Sequence, residues 1–167
     1  MTMNGAWGYH KNDEAWKSSD SLVHSLVDIA SKGGNFLLNV GPTGKGVFPS
    51  KSVEKLAEVG NWLKVNGESI YGTTSSPFGK LPWGRCTKKV LANEVILYLS
   101  VFDWPKNGKL HLEQDISVKQ AYLLSDPSTD LITKSTDTGL VISLPKQAPN
   151  SIANVVKIIA EPLRLEL

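Results

Sequence analysis

The sequence predicts two fold classes in succession, α/β and then all-β, and three observations carry that prediction. Over residues 1–71 a helical pattern, a short apolar run and a second helical pattern alternate, as parallel α/β proteins require. The stretch Thr73-Thr74-Ser75-Ser76-Pro77-Phe78-Gly79 then breaks the periodicity. Beyond it, short β-rich runs recur with turn residues between them, the texture of an antiparallel sandwich.

The first helix is expected over residues 21–32, where Leu22, Val23, Leu26, Val27, Ile29 and Ala30 return at helical spacing. Ser19 or Asp20 is placed to cap its start and Gly33 to end it. Residues 35–40, Asn-Phe-Leu-Leu-Asn-Val, lie between Gly33-Gly34 and Gly41-Pro42 and read as a strand buried on both faces. A second helix is expected over residues 51–65, capped by Ser50, with Val53, Leu56, Val59, Trp62 and Leu63 as its apolar stripe and Asn66-Gly67 as its stop. A parallel strand needs neighbours on both sides, so one convincing strand does not close a domain. In the second half, strands are expected over 94–102, 109–113, 118–125, 131–135, 140–144 and 155–160. Asn107-Gly108 and Asp137-Thr138-Gly139 supply turns between them. The chain thus divides into residues 1–71, a linker over 72–85, and a β-sandwich over 86–167.

Composition narrows the function classes. With 41% hydrophobic and 20% charged residues, the 167-residue chain can bury a real core and is neither disordered nor fibrous. Its formal charge of +2 is scattered and forms no basic stripe, so nucleic acid is not an expected partner. Cys86 is the single cysteine, and His10, His24 and His111 do not join it at zinc spacing, so no metal is expected. No run approaches the roughly 18 apolar residues of a membrane span. Met1 to Trp7 shows no leader pattern.

Several motifs stand in order in the first half: Trp7-Gly8-Tyr9-His10, Lys11-Asn12-Asp13, Leu26-Val27-Asp28, and the run from Ser31-Lys32-Gly33-Gly34 through Asn39-Val40-Gly41-Pro42. Together they resemble the C-terminal barrel segment of the glycoside hydrolase family 29 α-L-fucosidases. Gly60-Asn61-Trp62-Leu63 and Val65-Asn66-Gly67-Glu68-Ser69-Ile70-Tyr71-Gly72 continue the likeness. The second half fits the family's accessory β-sandwich in kind and position. The resemblance implies that residues 1–71 are the terminal βα units of a (β/α)8-like barrel, with residues 35–40 as the last barrel strand. Met1-Thr2-Met3-Asn4 is similar to the residues that follow the family's Trp-Glu-x-Cys signature, which implies a start downstream of it.

Family members are retaining glycosidases, which need a carboxylate nucleophile and an acid/base carboxyl about 5 Å apart. The resemblance implies an Asp and a Glu in these roles, both upstream of this chain, so no catalytic residue is expected here. Asp13, Glu14, Asp20, Asp28, Glu54 and Glu68 read as solvated, capping or structural carboxylates. Trp7 is the expected substrate contact, because by resemblance an aromatic at this position faces the methyl-bearing side of fucose; its other reading is a core tryptophan. Tyr9 and His10, beside it, are placed either to donate hydrogen bonds to sugar hydroxyls or to fix the loop.

The segment Gly41-Pro42-Thr43-Gly44-Lys45-Gly46 lacks the spacing and the Ser/Thr of a P-loop and reads as a turn. Cys86 reads as packing, Trp62 as core, and Trp83 and Trp104 as wedges between the two halves, while Trp16 is undecided. The expected function is the C-terminal portion of a retaining exo-glycosidase that releases terminal α-L-fucose from glycoconjugates. It takes a fucosylated glycan and no cofactor, in a periplasmic or secreted setting for the full-length parent. The alternatives are a non-catalytic carbohydrate-binding or interaction module, and an inactive truncated fragment.

Overall fold

The computed structural model describes residues 1–162; residues 163–167 of the expected sandwich segment lie outside the described residues. The architecture is sheet-rich and antiparallel, with two helices: α1 (Ser19–Ser31) and α2 (Ser50–Asn66), the latter prolonged by a 3-10 turn at Gly67–Ser69. Ser18 caps α1, its Oγ accepting from the Ser21 N–H at 3.1 Å, so the cap sits one residue before Ser19 and two before Asp20, the expected candidates. Ser19 is instead buried and donates to Glu58 of α2, a tertiary use that outweighs local capping. Gly33 ends the helix with a left-handed φ of 75°, as expected. Pro49 occupies the N-cap of α2 and no side chain caps it; Ser50 is the first helical residue.

Residues 35–40 depart from the expectation of a doubly buried strand. They carry no strand beyond a single parallel bridge, Thr2 to Asn39, and Leu37 is 76% exposed. The reason is the missing partners: an extended apolar segment becomes a parallel strand only when others cover its edges and faces. The stripe of α2 divides in the same way. Trp62 is buried, with Val59 and Leu63 packed beside it, whereas Val53 and Leu56 at the other end are exposed.

Among the described residues the second half forms eight strands: β1 (Gly84–Val90), β2 (Val95–Val101), β3 (Lys109–Leu112), β4 (Val118–Leu123), β5 (Asp126–Asp130), β6 (Thr133–Thr136), β7 (Gly139–Ser143) and β8 (Asn154–Ala160). Two of them, β1 and β5, are not among the expected runs. One sheet runs β1-β2-β8-β4-β5, and the facing one runs β3-β7-β6. Leu97, Leu99, Leu110, Leu112, Ile142, Val156 and Ile158 fill the space between them. The other face of the larger sheet carries Tyr98 and Val155, which with Ala153 just before β8 pack against Val23, Val27 and Trp62 of the helices. Trp83 joins the sandwich core and its Nε1 donates to the His111 carbonyl at 2.9 Å; it is a core residue, where a wedge between the halves was expected.

Two charged contacts tie the helical layer to the sheet. Asp28 accepts from Arg85 Nε and from Lys32 Nζ, each at 2.6 Å. Glu68 Oε1 accepts from the Tyr98 hydroxyl at 2.7 Å and from Lys157 Nζ at 2.6 Å. The hydrogen bond from Lys32 holds the Asp28 carboxyl below its ordinary 3.8; burial opposes this and Arg85 reinforces it. Burial pushes Glu68 upward, but the hydrogen bonds from Lys157 and Tyr98 outweigh it and leave the carboxyl below its ordinary 4.5.

Two expectations follow from this packing. Trp62→Ala removes a buried indole and its 2.9 Å bond to the Ala153 carbonyl. It should cost about 3–5 kcal/mol of stability in urea unfolding, and residues 1–71 made alone should show no cooperative melting. Because both carboxyls have depressed folded values, their stabilisation is present above the unfolded values and is lost as pH falls through the folded ones. Stability should therefore drop as pH falls below 4.5. The double variant Asp28→Asn, Glu68→Gln should flatten that acid limb in melts taken across the range.

Candidate functional site

The residues expected to meet substrate lie on the loop between the Thr2–Asn39 bridge and α1. Trp7 is 66% and Tyr9 46% exposed, and His10 is exposed beside them. Trp7 is therefore not a core tryptophan in this chain. The loop is nonetheless fixed by its backbone. Asp13 Oδ2 accepts from the Gly5 N–H and Oδ1 from the Ala15 N–H, both at 2.9 Å. The Asp13 N–H donates to the His10 carbonyl at 3.1 Å, and the Lys17 N–H to the Met3 carbonyl at 2.9 Å. Met3 is buried beneath the start of the loop.

A second segment holds the first from the side. The Asn39 N–H donates to the Met1 carbonyl at 2.9 Å, and Asn39 Nδ2 donates to the Trp7 carbonyl. Gly41 lies so close that a Cβ there would sit 2.6 Å from Gly8 C and from Tyr9 N. Only glycine permits this approach. Asn39 and Gly41, absent from the residues expected at the site, thus set the position of Trp7 and Tyr9. A Gly-Pro pair directly after an apolar run was the one local sign of them.

The carboxylates of residues 1–71 are mostly committed elsewhere. Asp13 serves the loop backbone, Asp28 meets Lys32 and Arg85, Glu54 meets Lys51, Glu58 meets Ser19 and Lys55, and Glu68 meets Tyr98 and Lys157. Glu14 and Asp20 are exposed. Among the described residues, no group of three or more His, Cys, Asp and Glu side chains could hold a metal ion. No helix there is long and apolar enough to cross a membrane. Cys86 is buried, and burial pushes its thiol up to about 12, so it stays protonated and inert.

Residues 1–68, which hold this loop, the bridge and both helices, match the family model described as alpha-L-fucosidase. The likeness extends into the sandwich: human tissue alpha-L-fucosidase is 34% identical over 154 residues, 88% of this chain and 32% of that protein. This chain belongs to the α-L-fucosidase family. The Dictyostelium discoideum alpha-L-fucosidase is 32% identical over 157 residues, covering 89% of this chain and 34% of its own length. Among solved structures, alpha-L-fucosidase isoenzyme 1 from Paenibacillus thiaminolyticus superposes with a TM-score of 0.86 at 36% identity, over 97% of this chain and 39% of that one. The chain spans about a third of the length of these curated fucosidases.

Gly41→Ala gives the geometry a direct check. The added methyl should push the Trp7–Tyr9 segment away, moving the Trp7 indole resonance in an 15N spectrum while the Trp62 indole stays in place. A Trp7 signal unmoved by the substitution would show that Gly41 does not set the loop.

Proposed function

We propose that the chain supplies one wall of a fucose-binding site in an α-L-fucosidase, with Trp7 against the methyl-bearing side of the sugar and Tyr9 and His10 toward its hydroxyls. The observation that carries the reading is the exposed Trp7, held on a rigid loop inside the segment that matches the family. A 6-deoxy sugar offers a methyl group and an apolar ring face, and an indole presented to solvent on an ordered loop is the complement of such a surface.

The reaction proposed for the parent enzyme is double displacement with retention. One carboxylate attacks the anomeric carbon while a carboxylic acid protonates the departing oxygen; that second group then takes a proton from the water that releases fucose. Both groups are proposed to come from sequence upstream of this chain, since Asp13, the carboxylate that anchors the Trp7 loop, is committed to backbone N–H groups. On this reading residues 1–71 are the terminal βα units of a (β/α)8-like barrel, residues 72–85 a linker and residues 86–167 the accessory sandwich. The exposed Leu37, Val53 and Leu56 support it, because they are the surfaces that the rest of a barrel would cover. A fucosylated glycan is the proposed substrate.

A non-catalytic carbohydrate-binding module would need exposed, coplanar aromatics on a sandwich face. Instead Tyr98 is fully buried, Phe102 stacks on His24 at 4.0 Å between ring centroids, and Trp104 Nε1 donates to the Pro145 carbonyl at 3.0 Å.

Assaying the chain on an aryl α-L-fucoside, beside a form extended upstream through the catalytic carboxylates, tests the proposal. Turnover should come only with the extended form, and Trp7→Ala in it should lower kcat/KM by about 10- to 100-fold. Equal turnover by the short chain would place catalysis within these residues. Unchanged kinetics in the variant would remove Trp7 from the site.

A further inference from the structure

The Asn4–Gly5 peptide unit, just before Trp7 in the chain, is held at both of its polar ends by charged side chains. Its carbonyl accepts from Lys17 Nζ at 3.1 Å and from the Thr2 hydroxyl. Its N–H donates to Asp13 Oδ2 at 2.9 Å. In a trans peptide the carbonyl and the N–H point to opposite sides, so the ammonium and the carboxylate meet the two ends of one dipole. Hydrogen bonds to ionised groups are roughly twice as strong as neutral ones, and two of them fix the same plane.

Both charged residues are half-buried and anchored in turn. Lys17 also donates its backbone N–H to the Met3 carbonyl at 2.9 Å, so one residue binds two consecutive carbonyls of the entering chain. Asp13 gives its second oxygen to the Ala15 N–H at 2.9 Å. Gly5 fits so closely that a Cβ there would lie 3.0 Å from Asp13 Oδ2. On the far side of the indole, the Trp7 carbonyl accepts from Asn39 Nδ2. The backbone is therefore fixed at the Gly5 N–H and again at the Trp7 carbonyl, with Ala6 between the two residues. Clamps this close together set the direction of the Trp7 Cα–Cβ bond.

We infer that Lys17 and Asp13 are positioning residues for the fucose site: as a charge pair across the Asn4–Gly5 peptide, they aim the bond that carries the Trp7 indole. The inference rests on the reading of Trp7 as a wall for the sugar. Neither residue acts on the bonds that break, and each works only through Trp7. An amide cannot replace the Asp13 carboxylate, because it offers one accepting oxygen where two N–H groups take one each. Methionine at position 17 keeps much of the length of lysine but has neither its charge nor its donor.

Lys17→Met and Asp13→Asn test this in two settings. In the 15N-labelled chain each should move the Trp7 indole signal and leave that of Trp62, bonded to the Ala153 carbonyl in the helix-facing core, in place. In the form extended upstream through the catalytic carboxylates, each should lower kcat/KM for an aryl α-L-fucoside about five- to tenfold. Added to Trp7→Ala, neither should lower it more than about twofold further, because a group that works through the indole has nothing to aim once the indole is gone. Lys17→Arg keeps a charged donor and should recover most of the loss. If a displaced Trp62 signal shows that Asp13→Asn is misfolded, Lys17→Met carries the test by itself. Full activity in the single variants, losses that add undiminished to that of Trp7→Ala, or an Arg variant no better than the Met one would each overturn this inference and leave the fucose reading standing. Unchanged kinetics in Trp7→Ala would remove the fucose reading, and this inference with it.

Discussion

The burial of strands β2 and β8 on both faces is the constraint on which the rest of the structure depends. Leu97, Leu99, Val156 and Ile158 point into the sandwich, while Tyr98 and Val155 point toward the helices. Side chains alternate along a strand, so a slip of one residue would exchange the two sets and put Tyr98 among the leucines. Every other layer covers one of these faces, the β3-β7-β6 sheet on one side and α1 with α2 on the other. The Tyr98 hydroxyl makes the arrangement specific, because its buried position requires a partner and Glu68 at the end of α2 supplies one. The pairing of Tyr98 with Lys157 across β2 and β8 brings the cation to the same carboxylate.

The same sequence pattern has two outcomes in this chain, and the difference is physical. Val-Ile-Leu-Tyr-Leu-Ser-Val at 95–101, expected as one of the sandwich strands, is as continuously apolar as Asn-Phe-Leu-Leu-Asn-Val at 35–40, which reads as a strand covered on two faces. The first becomes the centre of a sheet because β1 and β8 take its edges and two layers take its faces. The second finds only Thr2 for a moment and stays exposed at Leu37. A run of apolar residues states what a segment requires. Whether the requirement is met depends on chain far away in sequence.

Legibility elsewhere follows how local the signal is. Both helices and six of the strands were visible because an apolar period generated each one. Strand β5 has no such period; Asp126-Pro127-Ser128-Thr129-Asp130 is exposed throughout and is recruited only as an edge to β4. Strand β1 interleaves Cys86 and Thr87, both buried, with charged neighbours, and is held by distant groups: Thr87 donates to the Ser69 carbonyl at 2.6 Å and Arg85 reaches Asp28. The cap of α1 falls on Ser18 rather than Ser19 because Ser19 serves Glu58 on another helix, a contact that no local rule contains. At the candidate site, the Trp7–His10 motif was legible as a family likeness, whereas Asn39 and Gly41 act across more than thirty residues and show only in space.

Exposed aromatics on ordered loops carry the last step of the argument. Leaving most of an indole in water forgoes about 2–3 kcal/mol relative to burial. A loop free to move could fold such a side chain back onto apolar surface. Here Asp13, Asn39 and the Gly41 approach prevent that for Trp7, and the hydrogen bonds about Thr43 restrain the segment leading to Phe48. The backbone is thus arranged to keep apolar surface uncovered, which costs stability in the isolated chain.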